Sequence, residues 1–224
     1  MNAGARQVVV LGGTGLVGGH LVDMLVSDPG VARVVAPLRR PEERSAATEK
    51  VVTPVVDFDE VDRTPEAFEG SQLFICLGTT LRKAGSREAF RRVDLVAVVD
   101  AARLAVAAGA RDVLFVSSAG ADPGSRGFYL RVKGEAEAAL CSLPFQSIHV
   151  FRPSILTGDR GESRPAERAG IFLATLATPL MVGRARRYRP IAGATVARAM
   201  ARAARAPGAG PHVWESEQIA ELGA

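Results

Sequence analysis

The sequence is poor in cysteine, histidine and aromatic residues: two cysteines, three histidines, one tryptophan and 5% aromatics among 224 residues. Cys76 and Cys141 stand far apart and share no C-x-x-C, so a disulfide framework has nothing to build on. His20, His149 and His212 are scattered without ligand spacing, and no metal site is expected. The longest apolar run, Ile171 to Val182, has 12 residues and is broken by Pro179, well short of the about 20 that span a bilayer. No transmembrane segment is therefore expected. With no secretory signal ahead of the first apolar strand, the expected location is the cytoplasm. Repeats of solenoid length and low-complexity tracts are missing as well.

What is present fits an ordinary globular chain. Hydrophobic residues are 47% and charged residues 23%, which excludes collagen-like, disordered and coiled-coil readings. The length suits one domain, residues 1–224, with a modest extension. The net charge is +4 and the pI 9.6. Eleven arginines against three acids between Arg152 and Arg205 leave room for an anionic ligand in the C-terminal half. However, 25 of the 28 basic residues are arginine, a chain-wide preference that puts arginine on any solvated face, so nucleic acid is not an expected partner.

Two periodicities alternate along the chain. Gln7–Leu11, Val31–Leu38, Val51–Val56, Leu73–Leu77, Val113–Ser117 and Ser147–Phe151 are short, continuously apolar or β-branched runs, as expected of strands buried on both faces. Leu16–Val26, Arg87–Ala108, Tyr129–Leu140 and Val196–Ala206 carry helical spacing, and Gly109 is placed to end the second of these. Strand and helix in alternation predict an α/β fold of the Rossmann type. This is a doubly wound parallel sheet with helices on both faces and ligands at the carboxyl ends of the strands. Residues 153–190 and 207–224 read as a small substrate-side and C-terminal extension.

Directly after the first strand, LGGTGLVGGHL places Gly12, Gly15 and Gly18 as G-x-x-G-x-x-G. With 23 glycines in the chain the spacing alone is weak; the context, a strand leading into an amphipathic helix, carries the argument. Glycine allows a tight turn and close approach, and a helix N-terminus offers N–H groups and positive dipole to a pyrophosphate. The second strand ends in VVAPLRRP, so Arg39 and Arg40 stand where an acid would face a ribose 2′-hydroxyl; this favours NADP(H) over NAD(H), the alternative being solvated loop arginines. Asp57 and Phe58 are placed to meet the adenine, or form a strand-end turn.

Tyr129 and Lys133 form Y-x-x-x-K, one face of one helix. A phenol is a poor acid or base at neutral pH, and a neighbouring ammonium favours the phenolate, which is why the chemistry pairs them. Upstream, Ser117 and Ser118 end a strand; a hydroxyl there, preferably Ser118, can donate to a substrate oxygen, while the alternative is a local backbone cap.

Gly12–Gly18, CLGTT (Cys76–Thr80), Ser117–Ser118, Tyr129/Lys133 and Arg152–Pro153, with CLGTTLRKAGS, VDLVAVVDAARLAVAAGA, FYLRVKGEAE and FRPSILTGDRGESRP in order, resemble an atypical short-chain dehydrogenase/reductase. Within that superfamily the blocks resemble the Tat-interacting-protein-like branch, from Gln7 to about Ala206. The resemblance implies a Rossmann fold, a catalytic set of Ser118, Tyr129 and Lys133, and cofactor contacts at Gly12, Thr14, Gly15, Leu16, Val17, Arg39, Arg40, Leu77 and Gly78. Gly18, Asp57, Phe58, Thr79, Tyr129 and Lys133 complete the expected cofactor set. Many members carry Asn where this chain has Asp94. The expected function is an NADP(H)-dependent oxidoreductase acting on a small carbonyl or alcohol. The alternatives are an NADPH-bound regulatory module with a protein partner, or an epimerase or dehydratase. Thr79–Ala84, Ala119–Phe128 and Pro153–Arg168 would shape the substrate pocket, with Arg152, Ser154, Arg160 and Arg164 meeting an anionic substrate group. The long Arg87–Ala108 helix could pair two copies in a homodimer.

Overall fold

The computed structural model describes residues 5–41, 49–158, 189–206 and 208–224. Seven strands, β1 (Arg6–Leu11), β2 (Val31–Val35), β3 (Val51–Val52), β4 (Gln72–Ile75), β5 (Asp112–Val116), β6 (Ser147–Arg152) and β9 (Gly210–Glu215), form one sheet in the order β3-β2-β1-β4-β5-β6-β9. Every pairing in it is parallel. Two short strands, β7 (Leu156–Thr157) and β8 (Ile191–Ala192), pair apart from it. The helices are α1 (Leu16–Ser27), α2 (Leu81–Ala84), α3 (Arg87–Arg91), α4 (Ala97–Ala107), α5 (Phe128–Cys141), α6 (Gly193–Ala203) and α7 (Ser216–Leu222).

Alternation along the strands builds two cores. Val8, Val10, Phe74, Leu114 and Phe151 pack with Leu21 and Leu25 of α1 and Val196 and Met200 of α6. Val9, Leu11, Leu73, Ile75, Val113 and Phe115 pack with Val98 and Ala105 of α4 and Ala136 and Leu140 of α5. Both faces of each central strand are thus covered, which is why these strands read as continuous apolar runs. The expected Rossmann fold is the observed one. The chain runs outward from β1 through β2 to β3 on one side and then crosses over to β4 on the other side of β1, so a crevice opens at the carboxyl ends of β1 and β4.

Three local readings change. The Val31–Leu38 and Val51–Val56 runs pair only at Val34–Val35 with Val51–Val52, then resume as a single bridge between Leu38 and Val55. Pro37 and Pro54 interrupt the ladder because they donate no N–H. The expected Arg87–Ala108 helix is interrupted by a π-helical turn, Arg92–Val96, between α3 and α4. Finally, residues 210–224 are not an appendage: β9 is the edge strand beside β6, and α7 follows it. Gly109 has φ +93 directly after α4, as expected of a C′ glycine. The apolar run Ile171–Val182 lies outside the described residues, and no helix among those described is long and apolar enough to cross a membrane.

The β6–β9 junction contains a buried titratable group. His149 is 2% exposed; the Trp214 indole N–H donates to its Nδ1 at 3.0 Å, Ser147 Oγ lies 3.0 Å from its Nε2, and the His212 ring stacks at 5.0 Å. Burial, aided by His212, pushes its pKa down to about 4. The folded protein therefore excludes a proton that the unfolded chain binds at an ordinary histidine pKa of about 6.5. Its contribution to stability is intact above about pH 6.5 and is lost as pH falls toward 4, by up to about 3 kcal/mol. Urea unfolding at a series of pH values is expected to show this loss in the wild type and a flatter profile in His149→Gln. Parallel profiles for the two proteins would contradict it.

Candidate active site

The glycine corner is held by backbone contacts. Gly12 has φ +76, and a Cβ there would lie 2.8 Å from the carbonyl carbon of Cys76. It is the point where the β1 turn presses against the end of β4. A Cβ on Gly18 would run into the Gly12 carbonyl, to which the Gly15 N–H also donates at 2.9 Å. Gly15 is the N-cap of α1 and offers no side-chain cap, so the first N–H groups of the helix are left for a ligand. Thr14, Gly15, Leu16 and Val17 border a cavity of about 800 Å³ that continues over Cys76–Thr80 to Asp94, Ser117, Tyr129 and Lys133. Gly12 and Gly18 shape the corner without bordering the cavity.

Leu77 also borders a second cavity of about 390 Å³, together with Arg39, Asp57, Phe58, Asp59 and Arg92. The expected adenosine residues Arg39, Asp57 and Phe58 are therefore gathered. Asp57 also closes a strand-end turn, accepting the Asp59 N–H at 2.9 Å, the alternative that the sequence left open for it. Arg40 is exposed and does not border this cavity. Arg92 was not singled out from sequence; it borders the cavity and lies 3.6 Å from Asp59. The glycine cradle, the uncapped helix end and two cavities that share Leu77 as a wall residue fit an extended dinucleotide.

At the other end, α5 carries Tyr129 and Lys133 into the larger cavity. Tyr129 is 37% exposed, and its ring packs 5.7 Å from that of Phe90. The Lys133 side chain is 5% exposed, with Nζ 2.9 Å from Asp94 Oδ1 and 5.2 Å from the Phe115 ring centroid. Asp94 is fully buried, and its Oδ2 accepts the Thr79 N–H at 2.9 Å. Gly134, one residue beyond the lysine, lets α5 approach the Asp122–Pro123 backbone, which a Cβ would strike. Cys76 borders the cavity as a thiol, since burial pushes it up to about 12.

Three expected assignments are corrected. Ser117, not Ser118, borders the cavity; the Ser117 hydroxyl donates to Glu137, and the Ser118 carbonyl closes the next turn by accepting the Ala121 N–H at 3.0 Å. Arg152 is not available to substrate. Its Nε and Nη2 grip Glu137 at 3.0 and 2.6 Å and its Nη1 reaches Glu215 at 3.3 Å, so it ties β6 to α5 and β9. Those hydrogen bonds to Glu137 raise its pKa further. Ser154 is likewise engaged, its hydroxyl with the Arg189 carbonyl and its N–H with Ser216 Oγ. Arg160 and Arg164 lie outside the described residues. Motif reading does not single out Glu137, although it stands four residues after Lys133 on the same helix face, a spacing visible in the sequence. Replacing Arg152 by Ala strands the buried Glu137 carboxylate and is expected to cost about 3 kcal/mol in urea unfolding at pH 7. A loss below about 0.5 kcal/mol, the value of a surface ion pair, would contradict this.

Comparison with known proteins agrees with this geometry. The NAD(P)H-binding family model matches residues 12–170. The chain belongs to that family. It is 38% identical to Protein HTATIP2 of Rattus norvegicus over 224 aligned residues, covering 97% of this chain and 89% of that protein. It is 36% identical to "Protein fmp52, mitochondrial" of Emericella nidulans, covering 75% and 74%. Among solved structures, the Bordetella bronchiseptica enzyme WbmH in complex with NAD+ superposes with TM-score 0.70 at 14% identity, covering 97% of this chain and 79% of that one. MoeE5 in complex with UDP-glucose and NAD gives 0.68 at 20% identity, covering 97% and 81%.

Proposed function

We propose that the protein is an NADP(H)-dependent oxidoreductase that interconverts a small carbonyl compound and its alcohol. The observation that carries this reading is that Tyr129 and Lys133 border the same cavity as the uncapped N-terminus of α1. NADPH, which Thr14, Gly15, Leu16 and Val17 would hold at the N-terminus of α1, would supply the hydride for the carbonyl carbon. Tyr129 donates its phenolic proton to the carbonyl oxygen, and solvent returns that proton to the phenol. Lys133 stabilises the phenolate so formed. Ser117 sets a polar oxygen beside the reacting group, anchored by Glu137 and Arg152 behind it.

The test is transfer of deuterium from 4-deuterated NADPH to the products of an aldehyde and ketone panel, read by mass spectrometry. Label in the product alcohol with matching loss of the reduced-nicotinamide absorbance supports the reading. Isomerisation of a sugar nucleotide with no net cofactor oxidation would support epimerase chemistry in its place.

Arg39 supports the choice of NADP(H), because it borders the adenosine-side cavity and no acid ends β2. Arg39→Ala is expected to weaken NADPH binding about tenfold, the value of one charge-assisted contact, and to leave NADH binding unchanged. Equal losses for the two cofactors in a fluorescence titration would contradict a contact to the 2′-phosphate.

A further inference from the structure

The Asp94–Lys133 pair is more than a packing detail. The π turn between α3 and α4 aims the Asp94 side chain inward, and such turns recur where a helix must place one residue for function. Both partners are nearly inaccessible to water, at 0% and 5% side-chain exposure, and their charged atoms meet at 2.9 Å. Asp94 also holds the Thr79 N–H, so one carboxylate fixes both the β4–α2 loop and the lysine. Gly78 leaves the room: a Cβ there would come within 3.3 Å of Asp94 Oδ1 and 3.6 Å of Lys133 Nζ.

An isolated ammonium favours a nearby phenolate, whereas an ammonium in contact with a carboxylate presents a dipole, whose field falls off faster. We propose that Asp94 is a positioning residue that pins Lys133 and offsets its charge at Tyr129, thereby setting the pH range over which the phenol exchanges its proton. Other charged groups face the same space. Lys83 of α2, His20 and Asp23 of α1 and the Cys76 thiol border the cavity with Tyr129. On the flank, the Arg87 and Arg131 guanidiniums lie 5.2 and 5.9 Å from the neighbouring Phe128 ring, and Glu137, beyond Lys133, is held by Arg152. Among the described residues, Asp94 is the acid in contact with the Lys133 ammonium. As far as turnover is concerned, this proposal rests on the oxidoreductase reading above.

The experiment follows ionised tyrosine by ultraviolet absorbance across a pH series in the cofactor-free protein, with Tyr129→Phe subtracted. The subtraction is clean because Tyr188 is the sole other tyrosine in the chain. Asp94→Asn keeps the side-chain shape and an acceptor for Thr79 but leaves the lysine charge uncompensated. Its Tyr129 midpoint is expected about one pH unit below wild type, and the corresponding limb of the pH–rate profile moves with it. The Asp94→Asn/Lys133→Met variant buries no uncompensated charge and covers the case in which the single variant does not fold. Its midpoint is expected within about half a unit of wild type.

An unmoved midpoint in folded Asp94→Asn, or a double variant displaced by a full unit, would overturn the proposal. A shifted tyrosine titration in a protein that reduces no carbonyl would uphold the role of Asp94 and count against the oxidoreductase reading alone.

Discussion

Tyr129→Phe is expected to lower kcat by about 10³-fold on any carbonyl substrate, within the 10²–10⁴ that a positioned acid or base contributes, while NADPH binds as in the wild type. The substitution removes one oxygen and keeps the ring that packs against Phe90, so the wall of the cavity survives. Lys133 stays pinned by Asp94 and does not depend on the phenol for its position. The loss therefore falls on the chemical step. Stopped-flow comparison of single-turnover rates at saturating NADPH checks it, and rates within threefold of each other would remove Tyr129 from the mechanism.

The second large effect is expected at the glycine corner. Gly18→Ala drives a methyl group into the Gly12 carbonyl and to 3.1 Å from the Gly13 Cα, all of it backbone with no flexible end to yield. The strand-to-helix turn must open, and with it the alignment of the α1 N–H groups, so NADPH affinity is expected to fall at least 100-fold. The neighbouring Gly19→Ala is the control. Its methyl would sit 3.8 Å from the Gly13 carbonyl oxygen, an ordinary contact, and alanine in a helix is worth up to about 1 kcal/mol over glycine. Gly19 borders the cavity, so its methyl is the milder intrusion: Gly19→Ala is expected to keep NADPH affinity within about tenfold of the wild type and to unfold at a slightly higher temperature. Similar affinities in the two variants would show that the corner does not seat the dinucleotide.

Much of this architecture is legible from the sequence because its determinants are local. Six strands announce themselves as apolar or β-branched runs, four of them (β1, β4, β5 and β6) because both faces are buried, and Tyr129 and Lys133 need only helical spacing to fall together. The seventh strand escapes for the opposite reason. Gly210–Glu215 is an edge strand with alternating burial and contains Pro211, tolerated because only one side of it is paired. Its sequence, GPHVWE, looks like a loop.

Which of two adjacent serines borders the cavity is a matter of a single residue of register, and composition cannot decide it. Arg152 misleads in a different way. An arginine after a strand looks available to an anion until its partner is known, and Glu137 reaches it from the neighbouring helix α5. Asp94 stands out in the sequence only against the resemblance, which implies Asn at that position. That it grips Lys133 depends on a π turn, which helical periodicity does not reveal.

Calorimetric titration of the intact protein with NADPH and NADH, each repeated on Gly18→Ala, tests most directly whether the dinucleotide sits at the corner that leads to Tyr129. The account expects one site per chain, NADPH at least tenfold tighter than NADH, and heat abolished for both in the variant. Failure of the wild type to bind either nucleotide, or undiminished binding in Gly18→Ala, would contradict it.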